Sequence, residues 1–358
     1  MSPTIMLPTM MTYIEEEPTA LETILREHRH SLAAIEAFAR ERPVQRLLLL
    51  ATGSSFNAAL CARDLFERRY GLRVEIKEPY NFVHYETIDP HTDLVIAVSQ
   101  SGKSASTLAA MEKVQAAGLP VFALTSDPQS PIGKGSDYVL DINTGIEQVG
   151  FVTRGFSATV LNLLLIALTL ARAQKQIADE EAQATLHQLS QLAAAIPQAI
   201  AQTEAFFDRH QATLQSGTRF VAIGYGALTG VAKEFETKFT ETVRVPSSGF
   251  ELEAYMHGPY LEANAQHVMF FIEDAPDRRL RALRDYMAPA VNQAFLVTLS
   301  EAQDPQTLAL NFPLEHDLAS LLLIVPMQVL AWRTACAKGI DLSVRIFDDF
   351  DRVLKSKI

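Results

Sequence analysis

Apolar and polar positions alternate along the chain as short, nearly all-apolar runs set between longer stretches of helical period. Arg46–Leu50 reads "RLLLL", enters "ATGSS", and gives way to "FNAALCARDLFERRY", whose apolar positions recur at helical spacing. Further short runs fall at Arg73–Lys77, Leu94–Ser99, Val121–Ser126 and Tyr138–Ile142. Apolar strands bounded by Gly/Ser turns and alternating with helices predict an α/β fold with a parallel sheet covered on both faces. Upstream, residues 14–41 predict amphipathic helix stopped by Pro43. Residues 173–215, rich in Ala, Gln and Glu, predict helix bridging two halves. The longest apolar run, Phe156–Ala171, is shorter than a membrane span and carries Ser, Thr and Asn, so it predicts a buried core helix.

The pattern repeats. Arg46–Phe66 lies over Arg219–Phe239 at an offset of 173, aligning Arg46 with Arg219, Gly53 with Gly226 and Phe66 with Phe239. The same offset carries His84 onto His257. Two tandem copies of one α/β unit are therefore expected. The expected division is a helical segment (1–42), a first unit (43–175), a linking helix (176–215), a second unit (216–338) and a tail closing the site (339–358). Where the first copy has "VSQSG", the second has "FIEDAP", so the serine loop has no counterpart there.

A net charge of −11 disfavours nucleic acid or an anionic membrane as partner, since both call for a basic surface. An anionic metabolite stays possible where donors are focused locally. Cys61 and Cys336 sit in apolar helical patterns and are expected to be buried thiols in a reducing cytosol. The opening "MSPTIMLPTMMTYIEEE" lacks a basic n-region and holds two prolines, so no signal peptide is expected and the protein is placed in the cytoplasm. No cofactor or metal is expected.

"AVSQSGKS", Ala97–Ser104, meets the minimal Walker A pattern, and a triphosphate site is one reading of it. An ordinary polar strand-end turn is another. Three serines and a single glycine suit one compact phosphate better than a chain of three. Ala97 belongs to the strand rather than to a wrapping loop, and Asp141 in "DYVLDI" is a thin imitation of the Mg²⁺-ordering acid. Ligands of doubly wound sheets sit beyond the carboxyl ends of strands, here "TGSS" and "SQSGKSAST". Each precedes a helix N-terminus, whose N–H groups and dipole favour an anion.

"ATGSSFNAA", "VIAVSQSGKSAST", "GIEQVGFVTRGFS" and "HGP" resemble the sugar-isomerase (SIS) double-domain family, which includes the isomerase half of glucosamine-6-phosphate synthase. The resemblance covers roughly residues 40–358 and implies two tandem SIS units with flavodoxin-like layers. It implies that Ser55, Ser99, Gln100, Ser101 and Ser104 hold a sugar 6-phosphate. Lys103 stands where the synthase-like loop is acidic, and Arg154 where that pattern has lysine.

Glu234, Lys238 and Glu241 fall at i, i+4 and i+7 and share a helix face. A solvated charged face is the plain reading; the resemblance places them in the catalytic helix. Sugar isomerisation needs one group to move a proton between C1 and C2 and another to open the ring at O5. A carboxylate suits the first task and an imidazole the second, which points to Glu241 and His257. Glu234 and Lys238 would orient the sugar and tune Glu241. By the resemblance Lys355, in "LKS", is the candidate Schiff-base or closing residue, although the tail looks longer than the synthase-like one.

No glutaminase half or N-terminal Cys nucleophile is seen, so glutamine-dependent amination is not expected. The same chemistry in reverse cleaves C–N bonds. The expected activity is a 6-phosphosugar deglycase or deaminase acting on an amino-sugar phosphate or a sugar-phosphate–amino-acid adduct. An aldose–ketose phosphosugar isomerase, or a synthase-like isomerase lacking its glutaminase, is the alternative. A phosphosugar-sensing regulator is a third reading. By the resemblance the chain is a homodimer or dimer of dimers, with His257 donated across the subunit boundary.

Overall fold

The computed structural model describes residues 8–358. Helices α1 (Met10–Ser31) and α2 (Ala33–Glu41) precede the first sheet. Its chain then runs β1 (Arg46–Leu50), α3 (Ser54–Asp64), β2 (Arg73–Lys77), α4 (Pro79–Tyr85), β3 (Leu94–Val98), α5 (Ala105–Ala116), β4 (Val121–Thr125), α6 (Pro131–Gly135) and β5 (Tyr138–Asp141). Helices α7 (Arg154–Ala173) and α8 (Asp179–Ser216) lead to the second sheet. There follow β6 (Arg219–Gly224), α9 (Leu228–Thr242), β7 (Ser247–Glu251), α10 (Leu252–Met256), β8 (His267–Glu273), α11 (Arg278–Met287), β9 (Gln293–Thr298) and β10 (Thr307–Ala309). The chain closes with α12 (Ser320–Ala337) and α13 (Phe350–Leu354).

Both sheets have five parallel strands in one order: β2-β1-β3-β4-β5 in the first and, reading from the same edge, β7-β6-β8-β9-β10 in the second. The repeat read from the sequence is a repeat of topology. Strands buried on both faces explain the unbroken apolar runs: β3 and β4 are buried at every position. Between the sheets, α3 and α7 pack against α9 and α12. Phe156–Ala171 is buried throughout α7, and each fully buried Leu, Ile or Phe contributes roughly 1.5–3 kcal/mol. Helices α7 and α12 are long and apolar enough to cross a membrane, yet 89% and 78% of their apolar windows lie inside the protein.

Two expectations need correction. The N-terminal helix starts at Met10 because Thr9 and Thr12 form a reciprocal cap, and it breaks at Leu32 rather than running on to Glu41. Near the break Ser31 Oγ donates to the Glu27 carbonyl and accepts from Asn143, a local hydroxyl bond of the kind that bends helices. Cys61 is buried, but Cys336 is exposed on the last turn of α12.

Candidate active site

Strand β3 ends at Val98 and delivers Ser99, nearly buried, to the floor of a cavity of about 710 Å³. The loop then turns so tightly that Gly102 adopts φ +65°, with its N–H donating to the Ser99 carbonyl at 3.0 Å. A Cβ at Gly102 would lie 1.9 Å from Ser130 Oγ. The single glycine of "SQSGKS" is thus demanded by packing, not by a wrapped triphosphate. Ser104 then caps α5, its hydroxyl accepting from the Thr107 N–H and from Thr107 Oγ1.

Ser55, Ser99, Gln100, Ser101 and Ser104 all line this one cavity, joined by Thr52, Ser54 and Lys103. Gln100 Nε2 is buried and has no hydrogen-bond partner among the described residues, a donor left for something in the cavity. Asp141 is not part of the wall; it accepts from the Asn143 N–H in its own turn. The acid that the Walker reading would use to order a metal, Asp141, is therefore not at the cavity.

Helix α9 packs antiparallel on α3, and its charged row is not a solvated face. The Glu234 side chain is 0% exposed and that of Lys238 1%. Glu234 accepts from Ser54 Oγ at 2.9 Å and from Asn57 Nδ2 at 2.8 Å, both on α3. Lys238 Nζ lies 3.4 Å from Glu234 and donates to Glu241 at 2.7 Å. Burial lifts the Glu234 carboxyl above the ordinary range, against the pull of Lys238. Burial alone would lower Lys238, but Glu241 and Glu234 outweigh it and keep the ammonium charged. Glu241 is partly exposed and stands outside the cavity wall. Ser54 links the two regions, since it lines the cavity and donates to Glu234.

The structure does not gather every expected residue. His257 caps the C-terminal end of α10, exposed, and within one chain reaches neither the cavity nor the α9 row. Beside it lies a groove of about 630 Å³ walled by Met256, Tyr260, Leu283 and Tyr286. Lys355 ends α13 in left-handed conformation, exposed, and does not line the cavity; Lys357 does. The last residues pair with the serine loop: the Ala105 N–H donates to the Ser356 carbonyl at 3.1 Å, and the Ile358 N–H to that of Lys103 at 3.0 Å. Lys357 is tied to Asp351 at 2.8 Å on the cavity wall.

Glu147 was given no role by the sequence, although it lies inside a quoted motif. It is buried on the cavity wall and accepts N–H groups of Thr153 and Gly155 at the start of α7, with burial raising its carboxyl. Arg154 turns away from the cavity: it pairs with Glu16 and lies 4.8 Å over the Tyr13 ring, fastening α1. Among the described residues no cluster of His, Cys, Asp and Glu is arranged to hold a metal ion.

Residues 42–172 match the family model described as SIS domain. The glutamine–fructose-6-phosphate aminotransferase (isomerizing) of Symbiobacterium thermophilum is 27% identical over 93% of this chain and 57% of its own length. The chain thus spans about half the length of the curated relatives it matches. A candidate phosphosugar isomerase of Clostridium difficile 630 superposes with a TM-score of 0.89 at 22% identity, covering 97% of this chain and 98% of its own. Glucosamine-6-phosphate deaminase of Thermotoga maritima superposes with a TM-score of 0.75 at 20% identity, covering 93% and 96%. At these identities the two structures speak for the shared fold.

Proposed function

We propose that this SIS-domain protein is a 6-phosphosugar enzyme that cleaves a C–N bond, as a deglycase or deaminase. The observation that carries the reading is the buried Glu234–Lys238 pair, with the partly exposed Glu241 held on Lys238, joined through Ser54 to a serine-lined cavity. A structural ion pair does not need to abut an anion-binding loop.

In this reading Ser55, Ser99, Gln100, Ser101 and Ser104 hold the phosphate, with the N-terminus of α5 behind it. Glu241 moves the proton between C1 and C2 of the opened sugar, and Lys238 holds that carboxylate in place. Glu234 fixes Lys238 from the other side. His257 opens the ring from a second copy of the chain. The exposed groove beside His257 and the exposed apolar tail residues Val344, Ile346, Phe347 and Phe350 support such a dimer. Arg345 and Lys357, rather than Lys355, are the tail cations on the cavity wall. A small-molecule phosphosugar is the only partner this account requires besides the second copy, and a cytoplasmic location suits that metabolite.

The test offers the protein fructose-6-phosphate–amino-acid adducts, glucosamine 6-phosphate and aldose 6-phosphates, with products followed by NMR. Release of amine with a 6-phosphosugar is expected. Isomerised sugar without amine would move the assignment to an aldose–ketose isomerase. Saturable binding of every phosphosugar with no turnover would leave a sensor.

A further inference from the structure

The second copy repeats the strand order of the first, but among the described residues the turn after β6 is filled by protein groups. Where β6 runs into α9, Gly226 turns at φ +51°, and the Ala227 N–H donates to Asp64 Oδ2 at 2.9 Å. Asp64 is the last residue of α3, in the first copy. A carboxylate of one half thus occupies the helix N-terminus of the other, the position that the first copy leaves for a ligand. His316 grips the same carboxylate, with Nε2 3.3 Å from Asp64 Oδ2 and Nδ1 2.9 Å from Asp274 Oδ2. Asp274 follows β8, and its other oxygen accepts from Tyr225, whose ring stacks on His316 at 5.7 Å. A Cβ at Gly226 would fall 2.5 Å from His316 Nε2 and 2.7 Å from Asp64 Oδ2, so the seat is closed by its occupants.

Helix α3 is therefore bound to α9 at both ends. Ser54 and Asn57 hold Glu234 near one end, and Asp64 holds Ala227 at the other. We propose that Asp64, His316 and Asp274 form a positioning clamp that fixes the register of α9 on α3. Through that register the clamp sets Glu234, Lys238 and Glu241 against the phosphate loop. The clamp rests on the function proposed above only for its consequence in turnover; its geometry stands apart from it.

Both imidazole nitrogens face carboxylates, so the clamp needs the charged ring. Hydrogen bonds to Asp274 and Asp64 raise His316 to about 9. Because the pKa is raised, the ring stays charged and the clamp closed at neutral pH; its stabilisation is complete below the ordinary histidine range and is lost as pH climbs through about 9. The other charged groups around it are Arg68, near Asp64, and Asp317, held by Arg69 together with Glu315. On the second sheet Glu273 is paired with Arg281, and Asp277 is bound to its own helix. Tyr225 is pushed far above neutrality. Among these groups His316 is the one expected to change charge between pH 8 and 10.

The experiment compares wild type with His316→Gln and Asp64→Asn. Wild type should show an alkaline limb in kcat near pH 9. His316→Gln should lack that limb and lose about 10–100-fold in kcat at pH 7.5, the scale of a 1 Å misplacement. Phosphosugar affinity by calorimetry should stay within about twofold, since the serine loop is untouched. Amide hydrogen exchange at residues 228–232 should quicken in both variants, and this readout needs no turnover. If the wild type proves inactive while exchange quickens, the clamp stands and the enzymatic reading falls. Unchanged exchange with an unchanged pH profile would overturn the clamp. A loss of affinity matching the loss of kcat would overturn it as well, showing general loosening. Should the variants fail to fold, a wild-type alkaline limb that coincides with a fall in protection at residues 228–232, taken relative to the intrinsic base-catalysed rate at each pH, supports the clamp, and its absence refutes it.

Discussion

Replacing Lys238 by Met removes an ammonium while keeping an unbranched chain of similar bulk. The cost is then almost wholly electrostatic, with little added cavity. Lys238 and Glu234 are 1% and 0% exposed, so the carboxylate left behind cannot recover water. Breaking a buried pair by deleting one partner costs ~3–5 kcal/mol. Ser54 and Asn57 still donate to Glu234, which argues for the lower half of that range at pH 8. Burial already lifts the Glu234 carboxyl, and losing Lys238 lifts it further. Protonation should therefore relieve much of the cost at pH 5. Urea unfolding of the two proteins at pH 5 and 8 measures both values. Adding Glu234→Gln to the Met variant should restore stability at pH 8, with a coupling energy of about 0.5–3 kcal/mol. A loss below about 1 kcal/mol that does not vary with pH would mean a solvated charged face, and the buried-row argument would fail.

Glu17, wholly buried beside Ser157, is raised to about 8 mainly by burial. Stability should therefore fall as pH rises from the ordinary glutamate range through about 8, and Glu17→Gln should flatten that slope in thermal scans. Ser99→Ala with Ser101→Ala should raise KM for phosphosugars with little change in Tm, each lost bond to a charged group being worth roughly 1.5–3 kcal/mol; normal affinity in that variant would remove the phosphate-loop assignment. Mixed dimers of Glu241→Gln and His257→Ala subunits should regain activity at one site in two, and mixing that restores nothing would refute the shared site.

Much of the fold was legible because parallel strands buried on both faces leave unbroken apolar runs, and because the offset from Arg46 to Arg219 survived duplication. The α9 row was legible for a local reason: i, i+4 and i+7 must meet on a helix. Its burial was not, since that depends on α3 arriving from the other half. Asp64 and His316 lie 252 positions apart and carry no spacing signal; only the packing of α3 on α9 makes them partners. Motif position points to Lys355 and cannot show that, after the left-handed turn there, Lys357 stands on the cavity wall.

The central claim is that binding lives in the first copy and chemistry in the second. Glu241→Gln tests it most directly, with kcat and phosphosugar affinity measured on the same preparation. Gln keeps the reach of Glu and can still accept from Lys238, but it cannot take up the transferred proton. The account predicts kcat down by ~10²–10⁴ with affinity nearly unchanged, the usual worth of general acid–base catalysis. Retention of more than about a tenth of wild-type kcat, below the low end of that range, would contradict it and turn attention to Glu234.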